Sequence, residues 1–94
     1  MNSIPNFKNE EEVREFLKVI SRKGVAQILK SLRNDPKKFS QLMFETKLNP
    51  SILDRHLKAL MKLGVIKKDG ENYKLTDCGL YVLKILDDLY KVIG

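Results

Sequence analysis

The sequence predicts a small, mainly α-helical domain with one short β-hairpin. Apolar residues return at helical spacing in five segments, each bounded by residues that start or stop helices. One stretch breaks that period. Val65-Ile66-Lys67-Lys68-Asp69-Gly70-Glu71-Asn72-Tyr73-Lys74-Leu75 reads as strand, turn, strand around an Asp-Gly dipeptide. Ninety-four residues, 43% of them hydrophobic, allow one folded domain with a thin core.

The first elements follow in order. Residues 1–9 form an arm without periodicity, restricted by Pro5. Asn9 caps a helix whose first turn, Glu10-Glu11-Glu12, suits the helix dipole, and Val13, Phe16, Leu17 and Ile20 make its apolar stripe. Ser21 is placed to cap a second helix, from about Arg22 to Leu32, with Val25, Ile28, Leu29 and Leu32 inward. Gly24 weakens the start of that helix unless another backbone comes close there. Asn34-Asp35-Pro36 ends it, because the residue before proline avoids the helical region, and Lys37 and Lys38 fall in a loop. A short helix, Phe39 to about Thr46, is anchored by Phe39, Leu42 and Met43. It starts with Ser40 and Gln41 and leaves Phe44 in the core or partly exposed.

After Lys47-Leu48 comes the stretch that organises the chain. Asn49 can accept backbone N–H groups as an N-cap, Pro50 suits the first helical position, and Gly64 supplies a left-handed stop. Leu53, Leu57 and Leu60 face inward, with His56 and Leu63 on the flank. The opposite arc holds Ser51, Arg55, Lys58 and Lys62. A helix, a tight turn, an exposed basic helix and a basic hairpin make a winged helix-turn-helix. The boundaries are 39–63 for the helix-turn-helix and 65–75 for the wing, within a single domain spanning 10–94.

Thr76 caps the last helix, 77–93, and Asp77 opens it. Its polar arc is Lys84, Asp87, Asp88 and Lys91. Apolar residues cover roughly 200° on the other side, where a helix lying on one core needs little more than about 100°. If Leu83, Leu86 and Tyr90 face the domain's own core, then Tyr81, Ile85, Leu89 and Val92 project outward. This element is therefore expected to be an added C-terminal dimerisation helix. The predicted interface is Tyr81, Val82, Ile85, Leu89, Val92 and Ile93, helped by Val13 and Phe16 of the first helix.

The run Leu48-Asn49-Pro50-Ser51-Ile52-Leu53-Asp54-Arg55-His56-Leu57-Lys58-Ala59-Leu60, followed by Leu63-Gly64-Val65-Ile66, resembles the recognition helix of small ArsR- and MarR-type winged-helix transcription regulators. Their usual pattern places a small or polar residue before an Arg, then His-Leu-x-x-Leu and Gly-Leu-Ile. Tyr73-Lys74-Leu75-Thr76 and Gly79 fit as well, so the similarity runs from about Gly24 to Leu89. It implies a homodimer that regulates transcription by reading double-stranded DNA in a sequence-specific way. Ser51, Ile52, Arg55 and Lys58 would lie nearest the bases. Lys37, Lys38, Ser40, Gln41 and Lys62, with Lys67, Lys68, Asn72 and Lys74 on the wing, would meet the backbone.

Two positions depart from the family's pattern. Ile52 stands where a polar residue is usual and can touch a thymine methyl. Asp54 stands where Ser is usual, and either accepts from a cytosine amino group or pairs with Lys58 one turn on.

Charge agrees with nucleic acid as the partner. Residues 22–74 hold thirteen Lys/Arg against five Asp/Glu, a net of +8, while the flanking segments are each −1. The rival is a protein-interaction adaptor built on the same fold. An effector-responsive repressor has no polar cluster to define its pocket, and any small-molecule effector is left unknown. His56 and Cys78 are the only residues of their kinds, so no metal site and no cofactor are expected, and no catalytic constellation assembles. The single cysteine, the absence of a secretion signal in Met1–Lys8 and the lack of a long apolar run predict a cytoplasmic protein without a membrane partner.

Overall fold

The computed structural model describes residues 6–93, the side chain of Ile93 excepted. The predicted arm over 1–9 therefore lies partly, and Ile93 as an interface residue wholly, outside what is described. Helix α1 (Glu10–Ile20) begins as its sequence requires, with Asn9 Oδ1 accepting the Glu12 amide at 2.9 Å. Ser21 ends this helix rather than starting the next, its hydroxyl donating to the Lys18 carbonyl at 3.2 Å. Helix α2 (Val25–Ser31) starts later than expected, from a left-handed Gly24 with φ of 96°. A Cβ at Gly24 would lie 2.8 Å from Leu48 Cδ2, so what approaches this glycine is a side chain, not a backbone.

Lys37 and Lys38 form a two-residue strand, β1 (Lys37–Lys38), where a loop was expected. Helices α3 (Phe39–Thr46) and α4 (Pro50–Lys62) follow, then the hairpin β2 (Ile66–Asp69) and β3 (Asn72–Leu75), then α5 (Asp77–Ile93). The sheet order is β1-β3-β2, all antiparallel, with Lys37 opposite Tyr73 and Lys38 opposite Asn72. This is the winged helix-turn-helix architecture, with a third strand beside the hairpin.

Val25, Ile28 and Leu29 of α2, Leu42 of α3, and Leu53, Leu57 and Leu60 of α4 share one fully buried core with Val65. Phe16 and Val82 also belong to it, and Phe16 packs edge-on against Phe7 with centroids 5.2 Å apart. Both are therefore withdrawn from the expected dimer interface, because the chain already buries them itself. Tyr90, expected to face inward, is exposed, and the Lys30 ammonium sits 4.4 Å from its ring centroid.

The first turn of α5 lies hard against Val65, in the connection between α4 and β2. The Thr76 hydroxyl donates to the Val65 carbonyl at 3.0 Å and accepts the Gly79 amide at 3.1 Å. A Cβ at Gly79 would sit 2.1 Å from the Val65 carbonyl oxygen. Gly79→Ala should therefore force α5 off the hairpin and cost about 1–3 kcal/mol of stability in denaturant unfolding. An unchanged unfolding midpoint would mean that this contact does not seat the helix. Farther along, Arg33 donates to both carboxylate oxygens of Asp87, at 2.9 and 3.1 Å, which holds the Asp87 carboxyl below its usual range.

Candidate nucleic-acid interface

The orientation of α4 is set by its buried side. Leu53, Leu57 and Leu60 are fully buried, and His56 joins them, more enclosed than the half-buried flank expected. The His56 Nε2 lies 3.0 Å from the Lys23 carbonyl and so carries the hydrogen, while Nδ1 is buried without a partner among the described residues. Asn49 Oδ1 accepts the amides of Ser51 at 2.8 Å and Ile52 at 3.4 Å, which fixes the start of the helix. With that face locked, Ser51, Ile52, Arg55 and Lys58 stand in solvent on the outer arc.

Of the two roles open to Asp54, the structure forms the ion pair. Its carboxylate lies 2.9 Å from Lys58 Nζ, and this hydrogen bond raises the Lys58 pKa. The carboxylate that would repel a phosphate is thus compensated, and Lys58 in turn offers less free charge. Arg55, between them in sequence, has no ion-pair partner among the described residues.

The backbone set divides. Lys38 and Ser40 are exposed at the start of α3, and Gln41 uses its carbonyl oxygen to accept the Lys38 amide at 2.9 Å, leaving its NH₂ outward. On the wing, Lys67 opposes Lys74 and Lys68 opposes Tyr73. Lys67 and Lys68 are exposed, Lys74 and Asn72 half-buried.

Two members stand apart from the rest. Lys37 donates to the Ser31 carbonyl at 2.7 Å and to Glu45 at 2.9 Å, and its side chain is only 16% exposed. It ties α2 to α3 and has no ammonium to spare. The Ser31 hydroxyl, and after it Lys37, holds the Glu45 carboxyl below its usual range. Lys62, at the far end of α4, lines a crevice with Glu11, Glu12 and Glu15 of α1, where a phosphate would meet three carboxylates. Lys37 is a correction to the backbone set; Lys62 stays exposed and takes part in no ion pair among the described residues.

A second surface is apolar. Tyr81, Ile85, Leu89 and Val92 form one exposed row along α5. Beside it, half-buried Val13 and exposed Leu17 of α1 line an open crevice of about 600 Å³ with Leu86 and Leu89. Leu17, expected only as a member of the α1 apolar stripe, and Leu80 of α5, assigned to neither face, are both about half exposed. On the basic side, sequence reasoning passed over Arg22, Lys23 and Lys47, which lie within the +8 segment and are exposed. Among the described residues no group of three or more His, Cys, Asp or Glu is placed to hold a metal ion, and no helix is long and apolar enough to cross a membrane.

Three comparisons bear on this arrangement. The family described as bacterial regulatory protein, arsR family, matches residues 22–68, half of the chain. A helix-turn-helix-type transcriptional regulator of Methanocaldococcus jannaschii is 35% identical over 81 residues, covering 77% of this chain and 76% of that protein. Among solved structures, quinone-bound YodB of B. subtilis superposes with a TM-score of 0.79 at 16% identity, over 86% of this chain and 93% of its own, which speaks for the fold. A MarR-family transcriptional regulator of Porphyromonas gingivalis W83 gives 0.74 at 26% identity, over 93% and 94% of the two chains.

Proposed function

This chain belongs to the ArsR family of bacterial regulatory proteins, and on that footing we propose that it is a cytoplasmic, homodimeric transcription regulator that reads double-stranded DNA by sequence. That it is a transcriptional regulator of winged helix-turn-helix type follows from the family. The observation that carries the finer reading is the exposed row Ser51, Ile52 and Arg55 on a helix whose opposite face is locked in the core. An α-helix fits the major groove, where Arg55 can donate two hydrogen bonds to a guanine and Ile52 can meet a thymine methyl. Asp54 and Lys58 enter as a neutral pair.

The helix-turn-helix spans 39–63 and the wing 65–75 of the single domain 10–94. Lys67, Lys68, Lys74 and Asn72 on the wing, with Lys38, Ser40 and Gln41 at the start of α3, meet phosphates and fix the register of α4. Dimerisation uses α5 over 77–93, through Tyr81, Ile85, Leu89 and Val92, with Val13 and Leu17 from α1. No enzymatic role is proposed.

The test is a set of anisotropy titrations of labelled duplex DNA over a range of salt. If about five backbone phosphates are contacted per protomer, the logarithm of affinity should fall against that of salt with a slope of roughly −4 to −5 per protomer. A response flat in salt removes the DNA reading. The apolar row on α5 also favours a second reading, an adaptor in which that row binds another protein; a flat salt response together with a monomeric chain would favour it.

A further inference from the structure

We propose that the turn between α1 and α2, with Lys47, is a second phosphate clamp that grips the DNA backbone beside the first half of α4, apart from the wing. This rests on the DNA-binding reading above and extends it to residues outside the helix-turn-helix and the wing. A cavity of about 530 Å³ opens between that turn and α4, and its lining includes Arg22, Lys23, Lys47 and Arg55. No carboxylate and no wing residue lines it. Among the described residues, none of the four cations takes part in an ion pair. Elsewhere in the central segment Arg33, Lys37 and Lys58 each have an acidic partner.

Four unpaired like charges around one opening repel one another and hold a counterion atmosphere. A polyanion that replaces those counterions gains free energy from their release. The ligand is a DNA strand rather than a free anion because the cavity is continuous with the reading face: Ile52 and Arg55 line the one and belong to the other. Nor does the cavity present the inward-facing donors that a small anion would need. Its one buried polar side chain, His56, is a ring whose Nε2 is already committed to the Lys23 carbonyl.

The turn is also held in register with the recognition helix. The His56 contact to the Lys23 carbonyl and the seating of Leu48 on Gly24 tie residues 23 and 24 to α4 and its approach. Lys47 is fixed separately. It adopts a left-handed backbone with φ of 62°, and its ammonium rests 4.6 Å from the Phe44 ring centroid. The recognition helix is thus bordered by cations on the wing and by a second group on the turn. His56 acts here as a positioning residue.

The test uses the full chain, a mixed-sequence duplex of about three helical turns, and salt-dependent anisotropy, since phosphate contacts do not depend on sequence. Arg22→Gln with Lys23→Gln keeps unbranched polar side chains at exposed positions, and circular dichroism checks that the variant folds. The salt slope should become shallower by about 1.8, two contacts at about 0.9 each, and by about 0.9 for Lys47→Gln. Lys84→Gln, on the outer face of α5, should leave it unchanged. A steep wild-type slope that neither Arg22→Gln/Lys23→Gln nor Lys47→Gln alters would overturn the clamp and leave the DNA reading standing. A flat wild-type slope would remove the DNA reading itself, and the clamp with it. A third result also overturns the clamp: inorganic phosphate raises the melting temperature of the wild type but not of Arg22→Gln/Lys23→Gln, while the duplex slopes stay equal. The cavity would then belong to a small anion.

Discussion

Ile85→Asp combined with Leu89→Asp should convert the protein to a monomer in sedimentation, with its helical content and melting temperature nearly those of an unmutated single chain. Both residues are already exposed on α5, at 42% and 49%, so a carboxylate at either meets water rather than the core. Across a two-fold interface the same changes would bury four carboxylates, at a desolvation cost of several kcal/mol each even after relaxation. The effect on DNA should be larger still. Each chain carries one recognition helix, α4, while successive major grooves on one face of DNA lie about 34–36 Å apart, so two recognition helices at that spacing require two copies. Losing the second copy removes the avidity of a linked pair, on the order of 10²–10⁴ in affinity for a palindromic site. If the unmutated protein sediments as a monomer at about tens of micromolar, self-pairing through α5 is wrong, and the exposed row awaits a different protein.

What the sequence made legible is the part of the fold written in local signals. The α4 boundaries came from Asn49-Pro50 and Gly64, the hairpin from Asp69-Gly70, and the exposed α5 row from an apolar arc too wide for one core. The misses are tertiary. A two-residue β1 carries no alternation to detect, and it exists only because β3 is beside it. Ser21 is as good a start signal as a stop signal, and only the left-handed Gly24 decides where α2 begins.

Side-chain partners far apart in sequence were equally hidden. Lys37 loses its expected role to the Ser31 carbonyl and to Glu45. Val82 lies in the middle of the wide α5 apolar arc, where its inward and outward halves meet, so a rotation of a few tens of degrees decides between core and surface. Asp54 is the opposite case: its partner lies one turn along the same helix, so the pair with Lys58 was one of two roles readable beforehand.

That pair sharpens what Arg55→Ala should do. Because Asp54 is taken up by Lys58, the guanidinium of Arg55 keeps all five donors in a planar fork, free for a base edge. Truncating it should cost about 1–3 kcal/mol on the preferred sequence, roughly 5- to 150-fold in affinity, and relax the preference at one base pair. Random duplex should lose much less, since there Arg55 contributes only its charge. Lys67→Ala provides the contrast. Lys67 stands exposed on β2 opposite Lys74, where the proposed geometry brings phosphates and no base edge within reach. Its loss should weaken cognate and random DNA by the same factor and make the salt slope shallower by about 0.9. Paired titrations on a selected high-affinity duplex and on a scrambled one separate the two behaviours. A loss for Arg55→Ala that is equal on both duplexes would mean that the outer arc of α4 holds the backbone and reads no sequence. Discrimination would then have to come from the shape of the DNA instead.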